Sequence, residues 1–482
     1  MSWLSRFFPK THPSHSQSPA QAQTKEETNQ QYFCPLPWIM MAVRNNGDMR
    51  ICCQANTAES RGLYRKENDV PYNVEREPMA QARNSQLAKE LRKSMLEGEA
   101  HEACIRCDRE EKNGIRSRRI FEVNKSKDYF NFQIAKKMTK EDGSIDPKDI
   151  PLQYLDLRFG NKCNIRCRMC GPTDSNAWYN DFVQLWNTPY YEEAIGVVKL
   201  VEDDKGNWSP ENDLYDWVDR DHFWSDVEEN MDHLTYIHTV GGEPMLIERQ
   251  FDLLEKCIEK DIAKNIELEY NSNGTVIPPK AWEYWKHFKT VKIGLSLDGT
   301  GKLNDYIRYP SKWHTIERNI KKLESYEGNL HLWFTYTVQV LNVFYLDDIL
   351  KWKISNEFEN FGASHKQPFI SAHPLHNPLH FNIKILPPPV KKIIEEKLRK
   401  VYGWLEDYFE ENQYSEKKQE IYRMSAKNII EGYINYMNEE DLSHVFPKFW
   451  KVTKDLDKIR SQSFEEIFPD YYEILRPYVE SK

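Results

Sequence analysis

From Pro151 the chain alternates strand-like and helix-like segments, and this alternation restricts its architecture more than any other feature. "LQYLDLRF" (152–159), "LTYIHTV" (234–240), "IELEYNSNG" (266–274), "VKIGLSLDG" (291–299) and "HLWFTYTVQV" (331–340) read as strands. "RQFDLLEKCIEK" (249–260), "AWEYWKHF" (281–288) and "HTIERNIKKLESY" (314–326) carry apolar residues at helical spacing between them. A βαβα rhythm implies a parallel sheet or barrel with helices outside. In such sheets ligands bind beyond the carboxyl ends of the strands. The polar motifs described below all sit at such ends, which points to one shared site.

The flanking regions read differently. Residues 1–30 are polar, with Pro and Gln, and are expected to be disordered. The start, "MSWLSRFFPK", lacks the long apolar run of a signal peptide and reads as a frayed tail. Residues 31–125 form a compact segment with five cysteines. Within it, "WIMMAV" and "MRICC" read as short strands about the turn Asn45-Asn46-Gly47-Asp48. A helix follows in "SQLAKELRKSMLEG", with Ser85 as N-cap and Gly98 after the last turn. Residues 126–150 read as a polar linker, and 151–385 as the alternating core with an acidic, Trp-rich insertion at about 190–230. Residues 386–482 read as helical.

The net charge of −9 speaks against a general nucleic-acid binder, and no apolar run approaches the roughly 18 residues that span a bilayer. The expected setting is cytoplasmic and reducing. There, nine cysteines in spaced groups point to metal or catalysis rather than disulfides.

Directly after the first core strand, "NKCNIRCRMCGP" places Cys163, Cys167 and Cys170 as C-x3-C-x2-C. Three close thiolates can hold three corners of an iron–sulfur cubane and leave one iron open. A zinc site with a distant fourth ligand is the competing reading. This motif resembles the radical SAM superfamily. The resemblance implies a partial (β/α)6 barrel and a [4Fe–4S] cluster whose open iron binds S-adenosylmethionine, which is cleaved to a 5′-deoxyadenosyl radical. Met169 occupies the position that packs near adenine in the family.

Other strand-end residues fit the same resemblance. Gly241, Gly242 and Glu243 match the family's GGE motif, in which the carboxylate receives the methionyl ammonium. Ser272 and Asn273, then Ser296 and Asp298, resemble positions that contact the cofactor's sulfonium, carboxylate or ribose; each pair also suits a plain turn. Arg308 is expected to pair with a carboxylate, on cofactor or substrate or at the surface. Thr337 and Gln339 are candidates for the cavity wall, and Cys257 reads as a buried structural thiol in mid-helix.

In the N-terminal segment, Cys34, the G-x4-C that ends at Cys52, and the C-x2-C of Cys104 and Cys107 resemble a SPASM/twitch auxiliary-cluster domain. The order departs from that family, because here the domain precedes the core, and the later SPASM cysteines are missing. The resemblance implies one further, fully ligated [4Fe–4S] cluster in a small α+β domain. Cys53 is the alternative to Cys52, and a structural zinc site is the alternative to the cluster.

The expected function is radical oxidation or crosslinking of a peptide or protein, with a small alcohol or carbohydrate-like substrate as the second reading. A reducing partner such as flavodoxin or ferredoxin is implied, and neither nucleic acid nor membrane is expected as a partner. A non-catalytic zinc-binding interaction protein is the competing class.

Overall fold

A computed structural model describes residues 30–362 and 369–480. All of the expected disordered tail but its last residue lies outside the described residues. The hairpin about Asn45–Asp48 forms as expected: β1 (Met40–Val43) pairs antiparallel with β2 (Met49–Arg50), with Ala42 opposite Arg50. Gly47 makes the turn at φ +85°, where an added Cβ would lie 2.8 Å from the Asn73 amide oxygen. Trp38 and Ile39, read as strand, instead belong to a short helix, Leu36–Ile39. Pro35 and Pro37 explain this, since each removes a ladder donor and fixes φ near the helical value.

The free edge of β1 is occupied. It pairs in parallel with β3 (Tyr154–Arg158), from Met40 opposite Tyr154 to Val43 opposite Leu157. The acidic insertion after β3 folds into a separate antiparallel meander of β4 (Tyr190–Glu193), β5 (Gly196–Glu202) and β6 (Trp208–Pro210). Its Trp217 is buried against Phe159 and Phe223 rather than displayed.

The main sheet continues with β7 (Tyr236–Val240), β8 (Glu267–Ser272), β9 (Thr290–Leu297), β10 (Leu330–Val338) and β11 (Ser371–Pro374). Its order is β11-β10-β9-β8-β7-β3-β1-β2, parallel throughout except for β2. Six of these strands come from the alternating region and two, β1 and β2, from the N-terminal segment. Arg44, just after β1, and His373, in β11, line one cavity. The sheet therefore curls until its two ends face each other.

Alternation along the strands divides the sheet by chemistry. Leu155, Leu157, Ile237, Leu268, Val291 and Ile293 are buried in one apolar core with the surrounding helices. The opposite positions carry a polar row in register, Asp156–His238–Glu269–Lys292. The helix Arg118–Ser126 closes this side, with Arg118 hydrogen-bonded to the Tyr154 hydroxyl and Lys125 over the Tyr236 ring.

Two local expectations change. The helix at 86–97 forms and ends at Gly98 in the left-handed region (φ 77°), but the Ser85 side chain makes no capping hydrogen bond. Residues 126–150 are packed rather than a loose linker: Phe130, Phe132, Ala135, Ile145 and Ile150 are buried. Arg92 cross-braces this region by donating to the carbonyls of Pro37 (3.0 Å) and Gly143 (3.0 Å). The C-terminal region is helical, from Pro388–Arg399 to Pro469–Val479, and has its own core, in which Phe344 stacks on Tyr471 at 4.9 Å. No helix of the described residues is long and apolar enough to cross a membrane.

Candidate cofactor site

The cysteine loop leaves β3 at Gly160 (φ 77°) and is tied down at nearly every step. The Cys163 N–H donates to the Asn176 side chain (3.0 Å), and the Ser175 hydroxyl to the Ile165 carbonyl (2.7 Å). The Arg166 N–H reaches the Tyr309 carbonyl (2.7 Å), and the Arg168 N–H the Ile307 carbonyl (2.8 Å). The Trp178 indole N–H donates to the Cys167 carbonyl (2.9 Å). At the loop's centre, the fully buried Arg168 guanidinium bonds Asp457 and the Gln462 side chain (3.0 Å) and lies 3.7 Å from the Tyr306 ring centroid. The C-terminal helices, in which the sequence displayed no chemistry, thus hold the loop in shape. Met169 packs against that same C-terminal core.

The second strand end meets the loop from the side. Gly241 (φ 83°) and Gly242 (φ 53°) pass so close that a Cβ on Gly242 would lie 2.2 Å from the Lys162 carbonyl oxygen. The Glu243 N–H donates to that carbonyl (2.8 Å). The buried Glu243 carboxylate accepts from the Ser272 hydroxyl (2.8 Å), the Asn273 N–H (2.6 Å) and the Met245 N–H (3.1 Å). The Asn273 amide nitrogen in turn lies 3.9 Å from the Cys163 sulfur and 2.9 Å from the Asn164 side-chain oxygen. Cys163, Glu243, Ser272 and Asn273 therefore form one connected cluster.

Asp298 and Arg308 pair with each other: the guanidinium donates to the fully buried carboxylate at 2.8 Å. Arg308 is thus paired inside the protein rather than at the surface. Ser296 lies half-buried on β9 opposite Thr335. Thr337 lines the cavity between the sheet ends, whereas Gln339 is buried outside that wall, with neither amide atom hydrogen-bonded among the described residues. Cys257 is buried in the helix Glu248–Glu259.

Burial sets the electrostatics. It pushes Glu243 up to about 7 against its three hydrogen-bond donors, and Cys163 up to about 12. Cys167 is held below the ordinary thiol range, first by a hydrogen bond from Cys170 and then by Arg308. Burial would lower Arg308, but Cys167 and Asp298 outweigh it and keep the guanidinium charged. Three thiols, a nearby cation and an amide N–H beside one sulfur suit an iron–sulfur cluster, whose thiolates are stabilised by such neighbours.

A second set of thiols lies apart from this loop. Cys34, Cys52, Cys104 and Cys107 line a single small cavity. Burial raises all four, and Cys34 is raised further by each of the other three. Backbone N–H groups of Leu36, Ala55 and Arg119 point at Cys34, Cys52 and Cys107. Cys53 faces away, into the neighbouring cavity between the sheet ends. Among the described residues no three His, Cys, Asp or Glu side chains converge as ligands of one metal ion. Four thiols about one cavity suit either a cubane or a structural zinc ion.

Residues 157–339 match the family described as the Radical SAM superfamily. No curated protein matches the chain. Solved structures resemble it weakly. "Native anSMEcpe with bound AdoMet" is 18% identical, with a TM-score of 0.32 over 55% of this chain and 64% of that one. Streptococcus suis SuiB bound to S-adenosylmethionine is 14% identical, with a TM-score of 0.32 over 66% and 62%. The same protein bound to precursor peptide SuiA gives 14% and 0.30, over 65% and 61%. The chain thus spans less than two thirds of the lengths of these three structures. The stretch similar to the Radical SAM superfamily, residues 157–339, contains the cysteine loop, the GGE turn and the Asp298–Arg308 pair.

Proposed function

We propose that the protein is a radical S-adenosylmethionine enzyme that abstracts hydrogen from a peptide or protein substrate. Cys163, Cys167 and Cys170 would hold a [4Fe–4S] cluster, and Glu243, Ser272, Asn273, Ser296 and Asp298 would surround the cofactor. When bound, the cluster and S-adenosylmethionine supply a reducing electron and, from it, a 5′-deoxyadenosyl radical. The single observation that carries this reading is the chain of contacts from Cys163 through Asn273 to Glu243, which joins the cysteine loop to the GGE turn.

Each residue has a physical task. Glu243, once ionised, offers a buried carboxylate to the methionyl ammonium, where a charge-assisted hydrogen bond is strong. Gly241 and Gly242 let the backbone lie against the loop without a clash. Arg308 holds Asp298 in place and its charge favours thiolate at Cys167. Met169, set in the C-terminal core, gives the adenine a soft apolar neighbour. Cys34, Cys52, Cys104 and Cys107 would hold a second [4Fe–4S] cluster that takes up an electron from the substrate or orients it, with flavodoxin or ferredoxin as the external reductant.

The test is anaerobic reconstitution with iron and sulfide counted, followed by S-adenosylmethionine and dithionite. About eight irons and 5′-deoxyadenosine are expected. Cys167→Ala should abolish cleavage and leave about four irons in place. Zinc in place of iron, or cleavage unchanged in Cys167→Ala, would overturn the reading.

A further inference from the structure

The cavity between the two ends of the sheet has a volume of about 320 Å³ and an unusual wall. Four arginines reach it from four separate places: Arg44 after β1, Arg50 in β2, Arg106 in the helix Ile105–Lys112, and Arg158 at the end of β3. Against them the wall sets two carboxylates, Asp174 and Glu193. The molecule as a whole carries −9, so this interior is opposite in sign to its exterior.

The carboxylates do not use up the arginines. Glu193 lies 3.4 Å from Arg44 and also accepts from the Tyr215 hydroxyl (3.0 Å) and the Ala194 N–H (3.2 Å). Arg106 is held at 2.9 Å by Glu110, and Asp156 offsets part of the charge from beneath. Yet Arg44 Nη1 and Arg158 Nε are buried without a hydrogen-bond partner among the described residues. Buried donors and clustered like charges are costly unless something of opposite charge joins them. The histidines on the wall do not compete for an anion's place: burial pushes His373 down to about 4 and His376 to about 3, so both are neutral at pH 7.

The position of the cavity completes the case. Thr173 and Asp174, just past the three-cysteine loop, form one side, and the Asn45 amide donates to the Thr173 carbonyl at 2.6 Å. Arg106 lines both this cavity and the one that holds the four N-terminal thiols.

We propose that this cavity binds an oxyanion carried by the substrate, a carboxylate or a phosphate. The substrate is thereby anchored between the three-cysteine loop and the four-thiol cavity. The proposal deepens the reading of the protein as a radical enzyme and takes from it the identity of this space as the substrate's. Guanidinium forks match both oxyanions in a bidentate manner, and a low-dielectric wall strengthens the attraction.

Calorimetric titration of the reconstituted full chain, saturated with S-adenosylmethionine, tests this at low salt. The probes are inorganic phosphate and succinate, with acetamide as the uncharged control. One probe or both should bind once per chain, acetamide should not, and the stronger binder tells which oxyanion the substrate carries. Arg158→Gln should weaken the bound probe by about tenfold or more, and Arg158→Lys by less. Thr173→Glu, which adds a negative charge on a loop, should abolish binding and serves if Arg158→Gln does not fold. No binding of either probe, or equal binding in Arg158→Gln and Thr173→Glu, overturns the proposal. Cleavage of S-adenosylmethionine is scored separately: cleavage without anion binding sinks this inference alone, whereas anion binding without cleavage sinks the radical-enzyme reading alone.

Discussion

Arg168 and Asp457 form an ion pair sealed from solvent, with side-chain exposures of 0% and 4%, although 289 positions separate them in the chain. Asp457 also accepts from the Tyr306 hydroxyl (2.7 Å) and the Phe464 N–H (2.8 Å), so it is the joint between the cysteine loop and the C-terminal helices. Asp457→Ala leaves a buried guanidinium uncompensated, a loss of about 3–5 kcal/mol. Denaturant unfolding should show that loss. Iron analysis should show depletion at the three-cysteine loop while the N-terminal thiols keep theirs. Full iron content in a destabilised variant would show that the joint stabilises the fold without shaping the loop.

Glu243→Gln replaces an acceptor-only carboxylate with an amide. One amide group must then face donors from Ser272, Asn273 or Met245, and the charge is gone. S-adenosylmethionine affinity should fall by about tenfold or more, with iron content unchanged. Equilibrium binding of the cofactor to the reconstituted variant checks this, and wild-type affinity would remove Glu243 from the site.

Cys52 and Cys53 face different cavities, and Cys52, which the G-x4-C spacing favours, is the one that faces the other three thiols. Cys52→Ser should lose the iron of the N-terminal site, and Cys53→Ser should retain it. Iron and sulfide counts on the two purified variants decide the matter, and the reverse pattern would exchange their roles.

The stability contributed by three buried histidines should fall on acidification from pH 6.5 to 4. Burial pushes His373 and His380 down to about 4 and His376 to about 3. Between those values and the unfolded value near 6.5, the unfolded chain binds protons that the folded chain refuses, so stability rises with pH across this window. Glu243, raised to about 7, acts in the opposite direction between its unfolded value near 4.5 and 7. Asp48, Glu193, Asp226, Glu269 and Asp298, all raised by burial, act as Glu243 does, so the histidine contribution, on the order of 1 kcal/mol or more each, is read by removing one histidine. Thermal melts of wild type and His380→Gln across this range check this: the variant should gain relative to wild type as pH falls. A difference between the two proteins that stays constant from pH 6.5 to 4 would contradict the assignment.

The sequence made the alternating core legible because its strands are apolar on one side and its helices keep a helical period. The strand at 371–374 escaped notice: Ser-Ala-His-Pro is short, polar and ends in proline, and only its pairing with β10 makes it a strand. The hairpin about Gly47 was readable from its turn residues, but the parallel pairing of β1 with β3 joins positions far apart, and no local signal marks it. At the site, the cysteine spacing and the GGE motif were visible. The internal pairing of Asp298 with Arg308 was not, since a carboxylate and a guanidinium look the same in sequence whether they face a ligand or each other. The arginines of the inter-edge cavity were missed altogether, because they are scattered from 44 to 158 and converge only when the sheet curls.

The in-register seam between β1 and β3 also dictates where this chain can be cut. A fragment beginning near residue 150 would leave the backbone groups of β3 bare along one side, an adhesive border that recruits any extended peptide, including another copy of itself. The cysteine-bearing leading segment is thus a built-in protective strip as well as a candidate cluster carrier. Expressing the core without it should give aggregates even if every thiol of the three-cysteine loop is intact.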